Sequence, residues 1–185
     1  MIKPPELFET RRLVLRPAVN EDAAQIFANY AQNSEVTKYL IWRPHKSVEE
    51  TTAFVERCIQ GWKDGSSYPW VVTRKEDDAL IGMIELRMVS DEADIGYVLA
   101  RGSWGQGYAT EMAKAVVSWV LQQPEIRRVW ATCDCDNKAS ARVLEKTGLR
   151  FERVLKEYIV HPNISDDPRD SLMFSTSKGK SRRVG

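Results

Sequence analysis

Trp104-Gly105-Gln106-Gly107-Tyr108-Ala109-Thr110 links a strand-like run, Ile95-Gly96-Tyr97-Val98-Leu99, to a helix-like one. The helical run places Ala109, Met112, Ala113, Val116, Val117 and Val120 on one face at the 3.6-residue period. A glycine-rich turn between strand and helix leaves several backbone N–H groups free at a helix N-terminus. Orphan donors and the positive end of the helix dipole converge there, which suits phosphate. Glycine lacks Cβ, so a ligand can approach the backbone closely.

Spacing narrows the ligand. A nucleotide-binding Walker loop needs Gly, four residues, then Gly-Lys-Ser/Thr, and no such run occurs. The dinucleotide fingerprint Gly-x-Gly-x-x-Gly is broken, because Thr110 stands where its third glycine belongs. About 20 residues on, where that fingerprint wants an acidic residue, the chain reads Arg127-Arg128-Val129-Trp130.

Composition sets outer limits. The 185 residues are 43% apolar with a net charge of +1, enough for one ordinary core and without the basic excess that nucleic acid or an anionic membrane would require. Cys58, Cys133 and Cys135 form no regular framework, which fits a reducing compartment. Cys133-Asp134-Cys135 lacks the further Cys or His ligands of a zinc site, so no metal is expected; alternation makes these small strand residues. No apolar run follows the start and none reaches the ~20 residues of a membrane helix, so a cytoplasmic setting is expected.

Along the chain, Arg12 to Arg16 alternates as a strand ended by Pro17, and Asn20 is placed to cap a helix carrying Ala23, Ala24, Ile26, Phe27 and Tyr30. A short helix is expected over Ser34 to Leu40, and Ser47-Val48-Glu49-Glu50 is a capping box for a helix through about Trp62. Strands are read at Tyr68–Arg74, Leu80–Met88, Ala93–Leu99, Arg128–Cys135, Phe151–Val160 and Ser171–Thr176, with a loop over His161–Arg169. Asn137 opens a helix that Gly148 stops. One domain spans 1–176, and 177–185 reads as a disordered basic tail. Strands followed by strand–helix alternation imply an α+β architecture, a mixed sheet flanked by helices.

The two glycine-bearing blocks resemble the GNAT superfamily of N-acetyltransferases. Its Arg/Gln-x-x-Gly-x-Gly/Ala signature is matched by Trp104-Gly105-Gln106-Gly107-Tyr108-Ala109 except at Trp104. The string Trp104 to Glu111 looks like the branch that acetylates N-terminal residues of ribosomal proteins. So does Asn137-Lys138-Ala139-Ser140 followed by Val143 to Phe151, and the likeness runs from Glu9-Thr10-Arg11-Arg12-Leu13 to Asp170-Ser171-Leu172. The resemblance implies the GNAT fold, a mostly antiparallel mixed sheet splayed at its centre. It implies acetyl-CoA as acyl donor, its diphosphate on Trp104, Gly105, Gln106, Gly107, Tyr108, Ala109 and Thr110. It assigns the pantetheine arm to backbone groups of Val98, Leu99 and Ala100.

Acetyl transfer to an amine requires a base for the amine, stabilisation of the carbonyl oxygen, and a proton for the departing thiolate. Asn137 reads as a helix cap with a further cofactor contact open to it. Ser140, in the first turn, is either solvated or the proton donor; the resembled branch favours the latter, since Val143-Leu144 offers no hydroxyl. Glu85 and Asp94 compete as base; otherwise Glu85 forms a surface pair with Arg87 or a cross-strand cation, and Asp94 is a solvated strand end. Alternation places Leu80, Gly82, Ile84 and Leu86 on one strand face and Met83, Glu85 and Arg87 on the other. Glu111 is acidic beside the proposed phosphates, so it must point away or pair. Trp42-Arg43-Pro44-His45 either borders the acceptor or packs. The acceptor is read as a primary amine, a protein or peptide N-terminus ahead of a polyamine or aminoglycoside. A catalytically silent acyl-CoA-binding module is the alternative of another class.

Overall fold

The computed structural model describes residues 2–177. Eight strands form one sheet: β1 (Phe8–Glu9), β2 (Leu13–Pro17), β3 (Tyr68–Arg74), β4 (Leu80–Val89), β5 (Glu92–Leu99), β6 (Arg128–Asp134), β7 (Arg150–Val160) and β8 (Pro168–Ser177). Their order is β1-β2-β3-β4-β5-β6-β8-β7, and every neighbouring pair is antiparallel except β5 with β6. This is the mixed α/β sheet expected of the GNAT fold. Five α-helices flank it: α1 (Asp22–Ile26), α2 (Ser34–Thr37), α3 (Val48–Asp64), α4 (Tyr108–Gln122) and α5 (Lys138–Lys146).

The helices divide between the two faces. The apolar stripe of α4, with Met112, Ala113, Val116, Val117 and Val120, packs with Leu144 of α5 over Leu15, Val72, Ile84, Leu86, Ala93 and Ile95. On the other face, α1 and most of α3 bring Ala23, Ile26, Val55 and Cys58 against Val71, Leu80 and Met83. Strand alternation thus feeds two separate apolar layers, as a sheet covered on both faces requires.

One bulge changes the parity read from sequence. Val72 faces Gly82 but Thr73 faces Leu80, so Ile81 is an extra residue in β4. Ile81 therefore joins the α4 layer with Ile84 and Leu86, while Leu80 turns to the α1 and α3 layer with Met83. The expectation that Leu80 shares a face with Ile84 and Leu86 is corrected by this added residue.

Other local readings change for similar reasons. Asn20 does not cap α1; its N-cap is Glu21, and Asp22 instead accepts from the Val19 N–H and from Arg16. That first helix passes after Ile26 into a π-helical turn, Phe27–Ala31. Asn33 caps α2. In the capping box, Ser47 accepts from the Glu50 N–H, but the Glu50 carboxylate reaches the Lys46 N–H. The two-residue β1 carries too little pattern to be read, and β8 begins earlier than expected, at Pro168. Ser177 closes β8 opposite Arg128, and 178–185 lie outside the described residues.

At Gly82 the backbone of β5 leaves no room for a side chain on β4. A Cβ there would stand 2.3 Å from the Val98 carbonyl oxygen, whereas one on Gly96 meets nothing within 4 Å. Gly82→Ala is expected to cost about 1–3 kcal/mol of stability because backbone must move. Gly96→Ala is expected to stay within about 0.5 kcal/mol of the parent. Denaturant melts of both variants check this pair.

Candidate active site

β5 and β6 run together only through Glu92–Arg128, Ala93–Val129 and Asp94–Trp130. Beyond those pairs β5 stays with β4 as far as Leu99, and β6 stays with β8 as far as Asp134. A gap opens between them, with α4 and α5 on one face.

The glycine turn lies at one end of this gap. Gly105 and Gly107 adopt φ of 75° and 82°, a region that L side chains rarely enter. Gly107 is the N-cap of α4 and supplies no side-chain cap, and the helix begins with the Glu111 N–H bonding the Gly107 carbonyl. The N–H groups of Tyr108, Ala109 and Thr110 therefore stand at an uncapped helix start, and the space beside Gly105 is open. These features fit a diphosphate.

Glu111 turns away from the turn, as its charge requires. Its carboxylate accepts from Thr10 Oγ1 (2.6 Å), the Arg12 N–H (2.9 Å) and Arg12 Nε (2.7 Å). Burial alone would raise its pKa, but these bonds outweigh burial and hold the carboxyl below its usual range. Arg12 also donates to the Gln106 carbonyl (3.0 Å) and lies 4.3 Å from the Tyr108 ring centre. Arg12 was not singled out from sequence; only its place in Thr10-Arg11-Arg12-Leu13 marked it.

The backbone of β5 is partly committed. The Ala100 N–H bonds the Ile81 carbonyl at 2.7 Å, and the Leu99 carbonyl accepts from Trp104 Nε1 at 2.7 Å. Along a strand, N–H and C=O of one residue point to the same side and neighbours alternate. Ala100 and Val98 thus address β4, while Tyr97 and Leu99 address the gap. Of the expected trio Val98, Leu99 and Ala100, Ala100 gives its N–H to β4, and strand alternation turns Leu99, with Tyr97, toward the gap. Trp104, which replaces the usual Arg or Gln, acts as the indole clasp on Leu99, its ring under the Arg101 guanidinium.

At the other wall, Asn137 caps α5 by accepting from the Ser140 N–H at 3.1 Å. Ser140 is half-buried in the first turn, and its Oγ lies 2.8 Å from the Tyr97 hydroxyl. Tyr97 lies on the same face of β5 as Ala93, Ile95 and Leu99; it was read only as part of a strand. A lone hydroxyl-bearing residue at that inward parity was the available signal. Cys133 is buried nearby, and burial pushes its thiol up to about 11 despite a hydrogen bond with Ser140.

Glu85 and Asp94 lie on the opposite face, flanking Gly96, which pairs with Glu85. Arg87 joins them: it donates to Glu85 at 3.1 Å and, through Nε at 2.9 Å and Nη2, to Asp94. Both carboxylates are thus ion-paired. Trp42, His45 and Phe54 form one aromatic cluster, with ring centres 4.9–6.3 Å apart, and His45 bonds buried Thr51. Burial lowers the His45 pKa. Asp134 and Asp136, close to Cys135, are both bonded by the Arg169 guanidinium.

The Acetyltransferase (GNAT) domain family matches residues 12–150, three-quarters of the chain. The chain belongs to the GNAT acetyltransferases. It is an N-acetyltransferase that uses acetyl-CoA on an amine-bearing substrate, which sets aside the silent binding module. The uncharacterized N-acetyltransferase YoaA of Bacillus subtilis (strain 168) is 30% identical over 175 residues, 93% of this chain and 97% of that protein. The crystal structure of a GNAT-family acetyltransferase from Bacillus anthracis superposes with a TM-score of 0.80 at 26% identity, covering 92% of this chain and 98% of that one. RimL, a ribosomal L7/L12 alpha-N-protein acetyltransferase solved with coenzyme A, gives a TM-score of 0.80 at 23% identity over 93% of this chain and 98% of that one. At that identity RimL shows the shared fold. No helix among the described residues is long and apolar enough to cross a membrane.

A branched side chain at Gly107 would both strain a left-handed backbone and crowd the helix start. Gly107→Val is expected to weaken acetyl-CoA binding about tenfold or more, while Lys114→Ala, on the exposed side of α4, leaves it unchanged; calorimetry decides. Glu111 also predicts a pH response. Its lowered carboxyl stabilises the fold above the unfolded value, about 4.3, and this contribution is lost as pH falls through the folded value. The acid limb of stability against pH is therefore expected to be shallower in Glu111→Gln than in the parent, as measured by thermal melts.

Proposed function

We propose that this GNAT chain acetylates the α-amine of a peptide or protein N-terminus. The reading rests on the acceptor face of the gap. Arg87 pairs with both Glu85 and Asp94, so this face offers little unopposed negative charge. Polyamine and aminoglycoside acceptors carry several cationic amines and call for an acidic cleft. A single α-amine does not, and its pKa near ~7.7–8.0 lets a weak base remove its proton. Gly96, bare on this face, leaves room for an amine to reach the gap. RimL, a fold neighbour, is an alpha-N-protein acetyltransferase. The three free cysteines suit a reducing, cytoplasmic setting.

The proposed roles follow the two faces. Acetyl-CoA supplies the activated acyl group. The N–H groups from Gly105 to Thr110 hold its diphosphate, with Trp104, Gln106 and Tyr108 shaping that turn. Leu99 and Tyr97 pair with the pantetheine arm through backbone. Asn137 fixes the first turn of α5, and the Ser140 hydroxyl gives its proton to the departing sulfur. Glu85, the less encumbered carboxylate, takes the amine proton directly or through water, with Asp94 holding Arg87.

Ser140→Ala is expected to lower turnover about 10²-fold or more with little change in acetyl-CoA affinity. Normal single-turnover chemistry in that variant removes Ser140 from the role. For the acceptor, short peptides with free N-termini, N-blocked lysine peptides, spermidine and an aminoglycoside are to be compared by kcat/KM. The free N-termini are expected to lead. Preference for spermidine or the aminoglycoside overturns the acceptor assignment alone.

A further inference from the structure

Ser140 by itself is a poor acid, because loss of its proton leaves an alkoxide. The structure places a second hydroxyl directly behind it. Tyr97 Oη lies 2.8 Å from Ser140 Oγ and 3.3 Å from the Ser140 carbonyl oxygen. Tyr97 sits on β5 three residues past Asp94, the last residue paired with β6, so it stands where the gap has opened. Ser140 belongs to α5, on the far side of that gap. The two hydroxyls therefore bridge the opening next to the position that the thioester sulfur takes if Ser140 serves as its proton donor.

We propose that Tyr97 is a positioning residue for the leaving-group step, acting through Ser140 as the second member of a two-hydroxyl proton relay. This rests on the assignment of Ser140 under the proposed function. Either hydroxyl can donate in the 2.8 Å contact. When Tyr97 donates to Ser140 Oγ, the Ser140 proton is left free to point at sulfur. Burial outweighs the Ser140 bond and holds the phenol above its usual range, so at neutral pH Tyr97 carries a proton that it can direct to Ser140 Oγ or to the Ser140 carbonyl. The Asn137 cap holds the Ser140 N–H and with it the serine's place in the turn.

The step balances as follows. The carbon–sulfur bond breaks and its electron pair stays on sulfur. Sulfur takes the Ser140 proton, and Oγ takes the Tyr97 proton across their hydrogen bond. The amine nitrogen forms the new bond to the carbonyl carbon and gives its proton to Glu85 directly or through water; the phenolate regains a proton from solvent, and Glu85 returns its own to solvent. The products are the amide and the free thiol, with both hydroxyls restored. Even with burial holding the Tyr97 phenol above its usual range, its phenolate is less basic than a serine alkoxide, so the relay spares the cost of an isolated serine alkoxide.

Tyr97→Phe keeps the ring and deletes only the hydroxyl. Two readouts test the relay. Single-turnover acetylation in Tyr97→Phe is expected to slow about tenfold or more with an acetyl-CoA affinity within about twofold of the parent. The Tyr97→Phe/Ser140→Ala double variant is expected to be no slower than Ser140→Ala alone. The second readout involves no chemistry: the pH dependence of free CoA binding, by calorimetry, reports the thiol pKa in the complex. Donors aimed at a thiolate lower that pKa, so the parent is expected to bind CoA with a lowered thiol pKa and both single variants to return it toward the free value. A merely structural tie would lower the melting temperature of Tyr97→Phe and leave the thiol titration in place. Unchanged rate and titration in Tyr97→Phe, with Ser140→Ala impaired, overturns the role of Tyr97 alone. Losses that multiply in the double variant also overturn it. Normal chemistry in Ser140→Ala overturns the Ser140 assignment and the relay with it.

Discussion

The parting of β5 from β6 after three residue pairs is the constraint around which the site is arranged. Each strand keeps its other partner, β4 or β8, so the sheet stays intact while one internal seam opens. An open seam leaves backbone donors and acceptors without a strand to pair with, a state that proteins normally cover or occupy. Here the Trp104 indole takes the Leu99 carbonyl, and strand alternation turns Leu99 and Tyr97 toward the open seam. The same divergence separates the chemistry into two sides. Ser140 and Tyr97 lie on the face that α4 and α5 cover, and Glu85 and Asp94 on the opposite one, as the proposed approach of thioester and amine from opposite faces requires.

Electrostatics on each side is arranged by one arginine. Arg12 gathers Glu111 away from the start of α4, so the carboxylate does not oppose an anion at the uncapped N–H groups. Arg12 also ties β2 to the glycine turn through the Gln106 carbonyl. Arg87 does the corresponding work on the opposite face, holding Glu85 and Asp94 together across β4 and β5. The two differ in range: Arg12 and Glu111 are 99 positions apart, whereas Arg87 reaches Glu85 on its own strand and Asp94 across the β4–β5 hairpin.

Much of the fold was legible because its signals are local. The α4 stripe, the Asn137 cap, the Gly148 stop and the bounds of β3 need only neighbours a turn or two away, and all stand as read. The readings that changed depended on partners distant in sequence. Ile81 is an extra residue only because Thr73 faces Leu80, and that register reverses the side to which Leu80 points. Asn20 loses its capping role because Asp22 is drawn to Arg16 and the Val19 N–H. β1 is too short to show periodicity and exists only by pairing with Leu15 and Val14.

The sequence alone determined the glycine-bearing strand-to-helix turn, the helix faces and the family likeness, because these rest on backbone freedom at Gly105 and Gly107 and on short-range periodicity. It also brought forward Ser140, Glu85 and Asp94 as chemical groups. Tertiary structure decided which of them share a side of the gap, that Arg87 pairs with both carboxylates, and that Tyr97 meets Ser140. The physical reason is that a hydrogen bond of 2.8 Å between residues 43 positions apart follows from how two strands diverge, and no local pattern encodes that divergence.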